Sequence, residues 1–155
     1  MRIFGVDPGT GITGYGMIEA SGQDYVLVGA GVIRTPANTA LPSRLDTIFR
    51  SLEELIREYK PDVVAVEKLF FAQNVTTAIS VSHARGAILL AAERAGAEVA
   101  EYTPLQIKQA LTGYGRADKK QVQEMVKVML KLKTQPKPDD CADALAAAIC
   151  HAMSA

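Results

Sequence analysis

The fold is decided by the stretch Arg2-Ile3-Phe4-Gly5-Val6-Asp7-Pro8-Gly9, in which an apolar run ends in an acid and a glycine-containing turn. A second apolar run, Asp62-Val63-Val64-Ala65-Val66, ends in Glu67. Continuous apolar runs of this length are typical of short strands that are covered on both faces of a sheet. A carboxylate at the end of a buried strand is costly unless another group compensates for its charge. The two runs therefore predict two central strands that each end at a candidate functional acid.

Between these two runs the sequence predicts an antiparallel meander and a helix. Glycine-containing turns separate the first strand from two more, Ile12 to Ala20 and Tyr25 to Thr35. Apolar residues then recur at helical spacing from Leu45 to Tyr59, and the helix stops before Pro61.

The second half alternates helices with one further strand. The predicted elements are a helix from Val75 to Ala95, a strand from Ala97 to Tyr102, a helix capped by Thr103, a helix capped by Asp118, and a last helix capped by Asp139 or Asp140. The order predicts an α/β fold with a five-stranded mixed sheet, three strands in an antiparallel meander and two parallel to the first. A length of 155 residues suits one domain, residues 1–155.

The helix predicted from Val75 to Ala95 is apolar on two sides in its second half. A helix that is apolar on two sides is usually buried on both. One side can cover the sheet while the other meets a second subunit, and Gly86 with nearby alanines would allow close approach. We therefore expect a homodimer.

Composition indicates a cytoplasmic protein without membrane contact. There is no signal-peptide pattern, and no uncharged apolar run approaches 18 residues. Cys141 and Cys150 lie on one predicted helix, where nine residues of separation correspond to about 13 Å, too far for a disulfide. We expect both thiols to be reduced and packed in or near the core.

The formal net charge is zero, but the charges are unevenly distributed. The segment from Lys108 to Lys137 contains eight basic residues and only two acids. This basic segment therefore has a net charge of +6, and the remainder of the chain has a net charge of −6. Affinity for nucleic-acid backbones comes mainly from Lys and Arg, so the segment is a candidate DNA surface. A solvated lysine-rich helix face is an equally acceptable explanation.

Four acids form the candidate site: Asp7, Glu67, Asp140 and Asp143. The last two stand three apart at the start of the final helix and project from one face of it. Each acid except Glu67 has a simple structural alternative: Asp7 could start a turn, Asp140 could cap the helix, and the helix dipole favours an acid at Asp143. Together they supply only oxygen ligands, which suit Mg²⁺ or Mn²⁺ rather than zinc.

Acids that hold two divalent cations about 4 Å apart suit phosphodiester hydrolysis. One cation lowers the pKa of a bound water, and the other stabilises the leaving oxygen. The basic segment would then hold a polyanion that the acids alone would repel. The expected cofactor is Mg²⁺, two ions per site, with Mn²⁺ as a possible substitute.

Six motifs in order and spacing extend this interpretation over nearly the whole chain. They are Phe4-Gly5-Val6-Asp7-Pro8-Gly9, Gly14-Tyr15-Gly16, Val66-Glu67-Lys68-Leu69-Phe70, Ala84-Arg85-Gly86, Gln106-Ile107-Lys108-Gln109 and Asp140-Cys141-Ala142-Asp143-Ala144-Leu145. In these motifs the chain resembles the RuvC family of Holliday-junction resolvases. The resemblance implies a ribonuclease H-like fold, a homodimer, and paired symmetric nicking of four-way DNA junctions with Mg²⁺ at the four acids. It also suggests a branch-migration helicase complex of the RuvA and RuvB type as a partner.

The same resemblance implies roles in DNA binding for other residues. Phe70 matches an aromatic that inserts among bases at the junction centre, although an aromatic just past a strand end is more often core. Lys108 and Lys119 match basic residues near the scissile phosphate. From the residues themselves, Arg85, Arg116 and Lys120 are candidate phosphate contacts, although a surface Arg without such a role is commoner. Tyr114 is structural by default.

Two other functions compete with nuclease activity. The turn Asp7-Pro8-Gly9-Thr10-Gly11-Ile12-Thr13-Gly14 resembles the phosphate loop of the actin and sugar-kinase phosphotransferases. That architecture needs two domains of this kind, and 155 residues make one. A junction-binding module without catalysis is the second alternative, and it predicts that Asp7→Asn leaves function intact.

Overall fold

The fold is built on a five-stranded mixed sheet, seen in a computed structural model that describes residues 1–68 and 75–155. The strands are β1 Arg2–Asp7, β2 Ile12–Ser21, β3 Asp24–Arg34, β4 Val63–Glu67 and β5 Glu98–Tyr102. Their order is β3-β2-β1-β4-β5, in which β2 is antiparallel to both β1 and β3, and β4 is parallel to both β1 and β5. This arrangement confirms the predicted meander and the predicted parallel strands.

Helices cover both faces of the sheet. They are α1 Leu41–Tyr59, α2 Val75–Arg94, α3 Pro104–Thr112, α4 Lys119–Met129 and α5 Asp139–Ser154. Successive residues of β1 point to opposite faces, so Ile3 joins a core with α3, α4 and α5 while Phe4 joins a core with α1 and α2. The sheet therefore lies between two separate apolar cores, each with its own helices.

Helix α5 lies unusually close to the sheet because glycines face it. A Cβ built on Gly5 would lie 2.8 Å from the Ala144 carbonyl carbon, and one on Gly14 would lie 2.5 Å from the Asp140 carbonyl carbon. At these positions the strand backbones contact the helix backbone, and any side chain would clash with the helix. Glycine is therefore required here by close approach, as expected where one backbone packs against another.

The helix starts confirm two predicted caps and correct a third. Thr103 and Asp118 each form a capping box with the residue three positions later. At α5 the N-cap is Pro138, with no side-chain cap, so the prediction of Asp139 or Asp140 as the cap is wrong. Asp139 and Asp140 lie inside the first turn and Asp143 lies beyond it. Cys141 and Cys150 are free and buried, as predicted.

The outer side of α2 exposes a row of large apolar side chains. Val75 is 70% exposed, Ile79 53% and Leu90 54%, whereas Ala84 and Ile88 on the other side are fully buried. By length and composition this helix could also cross a membrane, which qualifies the expectation that the chain has no such segment. One helix of this kind is weak evidence, because helices of water-soluble proteins pass the same test.

Candidate active site

The sheet brings Asp7 and Glu67 to one edge. Because β1 and β4 are parallel, with Val6 opposite Val66, the acids that end the two strands are neighbours. Helix α5 crosses β1 and β2 above them, and its backbone at Asp140 rests on Gly14, the residue opposite Asp7. The site thus combines acids from two strands and one helix, as the sequence predicted.

Asp7 has the most strongly altered acidity in the site. Its burial, followed by the charges of Glu67, Asp143 and Asp140, raises the pKa of Asp7 to about 8. A side-chain hydrogen bond joins Asp7 and Glu67, so the protonated Asp7 carboxyl can donate to the Glu67 carboxylate. At neutral pH, without a cation, the two acids therefore share a proton.

Burial and the charge of Asp143 also raise the pKa of Glu67, although the Asp7 hydrogen bond and the charges of Lys119 and Lys108 oppose this shift. The pKa of Asp143 is raised chiefly by burial, against the opposing effect of Lys119. The acids thus lie in an environment that disfavours several negative charges at once. Such an environment favours a cation that neutralises them.

Two lysines of the basic segment reach the acids. The Lys119 ammonium lies 3.4 Å from an Asp143 carboxylate oxygen. Burial lowers the pKa of Lys119, but Asp143, Asp139 and Asp7 together raise it more, so the net pKa lies above the ordinary value. Lys108 and Lys119 line one cleft together with Glu67 and Asp143. The cleft measures about 280 Å³, and its apolar wall consists of Pro104, Ile107, Val122 and Ala146.

The four acids have the right chemistry for a hard divalent cation, but they are not yet arranged as ligands. Within residues 1–68 and 75–155, no three Asp, Glu, His or Cys side chains are positioned so that they could hold a metal ion. The physical reason is that Asp7 hydrogen-bonds Glu67 while Asp143 turns to Lys119. A cation would replace the shared proton and the ammonium as the compensating charge. The all-oxygen donor set suits Mg²⁺ or Mn²⁺.

The other sequence-predicted residues occupy different surroundings. Arg116 and Lys120 are exposed near the start of α4. Arg85, on α2, forms an ion pair with Glu101 of β5, so its charge is already matched. Its Nε is buried and has no hydrogen-bond partner among the described residues. Phe70 lies outside the described residues.

A hydrogen-bond network holds the turn that follows Asp7, and sequence reasoning did not find it. The Thr35 hydroxyl donates to the Thr10 carbonyl oxygen and accepts from Arg44 Nε at 2.9 Å. The hydroxyls of Thr10 and Ser80 are 2.7 Å apart, which ties the turn to α2. These residues come from four separate parts of the chain, and no local motif marks them.

Comparison with known proteins gives one consistent result. The family described as Crossover junction endodeoxyribonuclease RuvC matches residues 3–151. Proteins of that description from Heliobacterium modesticaldum and Rubrobacter xylanophilus are 60% and 59% identical over 154 and 152 residues. The matched regions cover 99% and 98% of this chain and 95% and 85% of those proteins.

Solved structures agree with the sequence comparison. Thermus thermophilus RuvC is 38% identical with a TM-score of 0.93, and its complex with a Holliday junction substrate is 37% identical with a TM-score of 0.95. Each match covers 99% of this chain and 94% of the other. The ribonuclease H-like fold implied by the sequence motifs is confirmed.

Proposed function

This chain belongs to the RuvC family of crossover junction endodeoxyribonucleases, and from that premise we propose that its acidic cleft cuts four-way DNA junctions with the help of Mg²⁺. The observation that carries the proposal is that Glu67 and Asp143 line one cleft with Lys108 and Lys119, while the charges of Glu67, Asp143 and Asp140 all act on Asp7. The reaction is hydrolysis: a water attacks the phosphorus, the bond to one strand end breaks, and that end leaves with a proton. Paired symmetric cuts then separate the junction into duplexes whose ends can be ligated.

The chain's own groups prepare the phosphate for attack. Lys108 and Lys119 provide positive charge in the cleft, so they can bind the phosphate oxygens and offset the acids' repulsion of DNA. The apolar wall at Ile107 and Val122 limits water, which strengthens these interactions. In the cation-free cleft Asp7, with a pKa of about 8, holds a proton near neutral pH, and a cation bound there would displace it.

The four acids are the groups that would hold Mg²⁺, two ions for each site, with Mn²⁺ as a substitute. Bound there, a divalent cation supplies a more acidic water and neutralises charge on the phosphate. Asp143 is free to serve when Lys119 turns from it to the DNA. Asp140 no longer has a competing role as a helix cap, because Pro138 occupies that position. Its position above Gly14 keeps it near Asp7.

One assay separates this function from its alternatives. The protein is incubated with a four-way junction and with a linear duplex of the same sequence, with and without Mg²⁺. We expect cutting of the junction only, and only with Mg²⁺. Asp7→Asn serves as the matched control: it removes one charge with almost no change in shape, so it should bind the junction without cutting it. Equal cutting of both DNAs, or cutting by Asp7→Asn, would contradict the proposal.

The protein acts as a homodimer in this proposal, with the exposed apolar side of α2 as the contact surface. Val75, Ile79 and Leu90 form a row at helical spacing, and Gly86 lies between them, with nothing in the described part of the chain within 4 Å of a Cβ built on it. Two copies would place two clefts on one junction, as paired nicks require. Light scattering should give a dimer at micromolar concentration. Leu90→Asp should give monomers, whereas Val128→Asp, at an equally exposed site on α4, should not.

The remaining partners follow from the same function. Arg116 and Lys120 contact flanking phosphates, Phe70 enters the junction centre, and Arg85 contributes to DNA binding only if Glu101 releases it. A branch-migration complex of the RuvA and RuvB type supplies junctions, and the protein works in the cytoplasm. A pull-down of the branch-migration complex by this protein, with and without junction DNA, tests the helicase contact. If the complex is retained only when DNA is present, the DNA alone bridges the proteins.

A further inference from the structure

We propose that the ring of Tyr114 is a stacking platform for a nucleobase of the DNA junction, on the turn that joins the two helices carrying Lys108 and Lys119. This inference rests on the proposed function, because it assigns the ring a place on the same DNA. It adds an aromatic contact to the charged groups carried by α3 and the start of α4.

The side chain of Tyr114 is exposed and unengaged. Its exposed fraction is 54%. Within residues 1–68 and 75–155 no hydrogen bond, ion pair or ring contact holds the side chain. A large amphipathic ring left in water has an apolar face available to a ligand, and nucleobases are well suited to stack on it.

The backbone beneath the ring is fixed. Gly113 ends α3 with φ of 73°, and its N–H donates to the Gln109 carbonyl at 2.9 Å. The Tyr114 N–H donates to the Thr112 hydroxyl at 3.1 Å, and the Tyr114 carbonyl accepts from the Ala117 N–H at 3.2 Å. The ring is therefore presented by an ordered turn, so little backbone entropy is lost when a base packs on it.

The turn, residues 113–117, connects the two helices that carry the lysines of the cleft. The Thr112 hydroxyl that binds Tyr114 also lies 2.6 Å from the Lys108 carbonyl oxygen. At the other end Asp118 caps α4, whose first residue is Lys119. Arg116, within the turn, is exposed. In the sequence, Tyr114 thus lies between Lys108 and Lys119, the two proposed phosphate-binding lysines.

The positive charge of α3, the turn and the start of α4 determines which kind of ligand can stack on the ring. A partner beside Lys108, Arg116 and Lys119 must be anionic, and a partner that uses the ring must present a flat apolar face. A DNA strand has both, because its phosphates alternate with bases. Bases beside a junction's branch point lose stacking neighbours more readily than bases within a duplex. The position of the turn between these two helices therefore favours a base of the junction as the occupant.

The test measures ring stacking directly. Junctions carry 2-aminopurine at positions around the cut site, and EDTA prevents cutting. The wild type should quench one position. Tyr114→Ala should lose this quenching and bind the junction about tenfold more weakly, equivalent to about 1.4 kcal/mol. Tyr114→Phe should retain quenching and bind within about twofold of the wild type. Val128→Ala, at a site 57% exposed, is the control and should behave as the wild type.

Three outcomes would overturn the assignment: unchanged quenching and affinity in Tyr114→Ala, equal loss in Tyr114→Phe, which would implicate the hydroxyl, or equal loss in Val128→Ala. Thermal melting checks that the variants are folded, and the main-chain hydrogen bonds of the turn do not depend on the ring. Failure of the proposed function is recognised separately, by wild-type protein that does not prefer junctions in the cutting assay.

Discussion

Replacing Gly14 by alanine should slow DNA cutting at least tenfold without altering any charged group. The new Cβ would lie 2.5 Å from the Asp140 carbonyl carbon and 2.9 Å from the Asp140 Cβ, whereas ordinary contacts begin near 3.4 Å. The first turn of α5 must therefore move by about 1 Å. A misplacement of that size can cost about a hundredfold in rate. The overpacking itself should cost about 1 to 3 kcal/mol of unfolding free energy, or roughly 2 to 4 °C in Tm for each kcal/mol.

The assay is single-turnover cutting of a four-way junction, with junction affinity and Tm measured in parallel. Gly11→Ala is the matched control, because its Cβ would meet only the flexible end of Arg44, at 3.4 Å. We expect Gly14→Ala to bind DNA but cut at least tenfold more slowly, and Gly11→Ala to resemble the wild type. Wild-type cutting by a folded Gly14→Ala protein would refute the claim that glycine sets the position of Asp140.

Further predictions concern the charged groups. Asp7→Asn and Glu67→Gln should abolish cutting while junction binding survives or strengthens, because repulsion of phosphate is relieved; a gel-shift titration beside the cutting assay checks this, and loss of binding would count against it. In the cation-free protein the folded state keeps a proton on Asp7 that the unfolded chain loses, so stability should fall as pH rises from about 4 to about 8 and then level off. Tm measured across this range should fall less for Asp7→Asn, and parallel curves would contradict the assigned pKa. Lys119→Ala and Lys120→Ala should weaken binding to junctions of all sequences and flatten its salt dependence, and an unchanged slope would exclude these lysines from the DNA surface.

The sequence predicted most of the fold because the decisive patterns are local. The apolar run before Asp7 could be recognised without knowledge of its neighbours, and so could the capping residues Thr103 and Asp118. The start of α5 was mispredicted because Pro138, already extended, takes the capping position and leaves Asp140 in the first turn. When neighbouring residues are all suitable as an N-cap, only the backbone conformation shows which of them takes that position.

The details of the site depend on contacts between distant parts of the chain. The ion pair of Arg85 with Glu101 and the packing of Gly14 on Asp140 each arise from the topology. The ion pairing of the acids could not be predicted either. Sequence spacing predicted four converging carboxylates, but not that Asp143 would form an ion pair with Lys119. Sequence spacing shows which residues share a face of a helix or strand, whereas side-chain rotamers and the balance of charge determine which groups form contacts.

The sheet's two cores allow the outer side of α2, the proposed subunit surface, to be altered without repacking the core beneath α5. Residues of α2 are anchored through Phe4, Val64 and Ile88 in one core, and α5 is anchored through Ile3 and Leu145 in the other. Changes that share no partners usually have additive effects. An engineer could therefore redesign the outer side of α2, for example to tether two copies in a fixed orientation, and keep the catalytic half as a constant module.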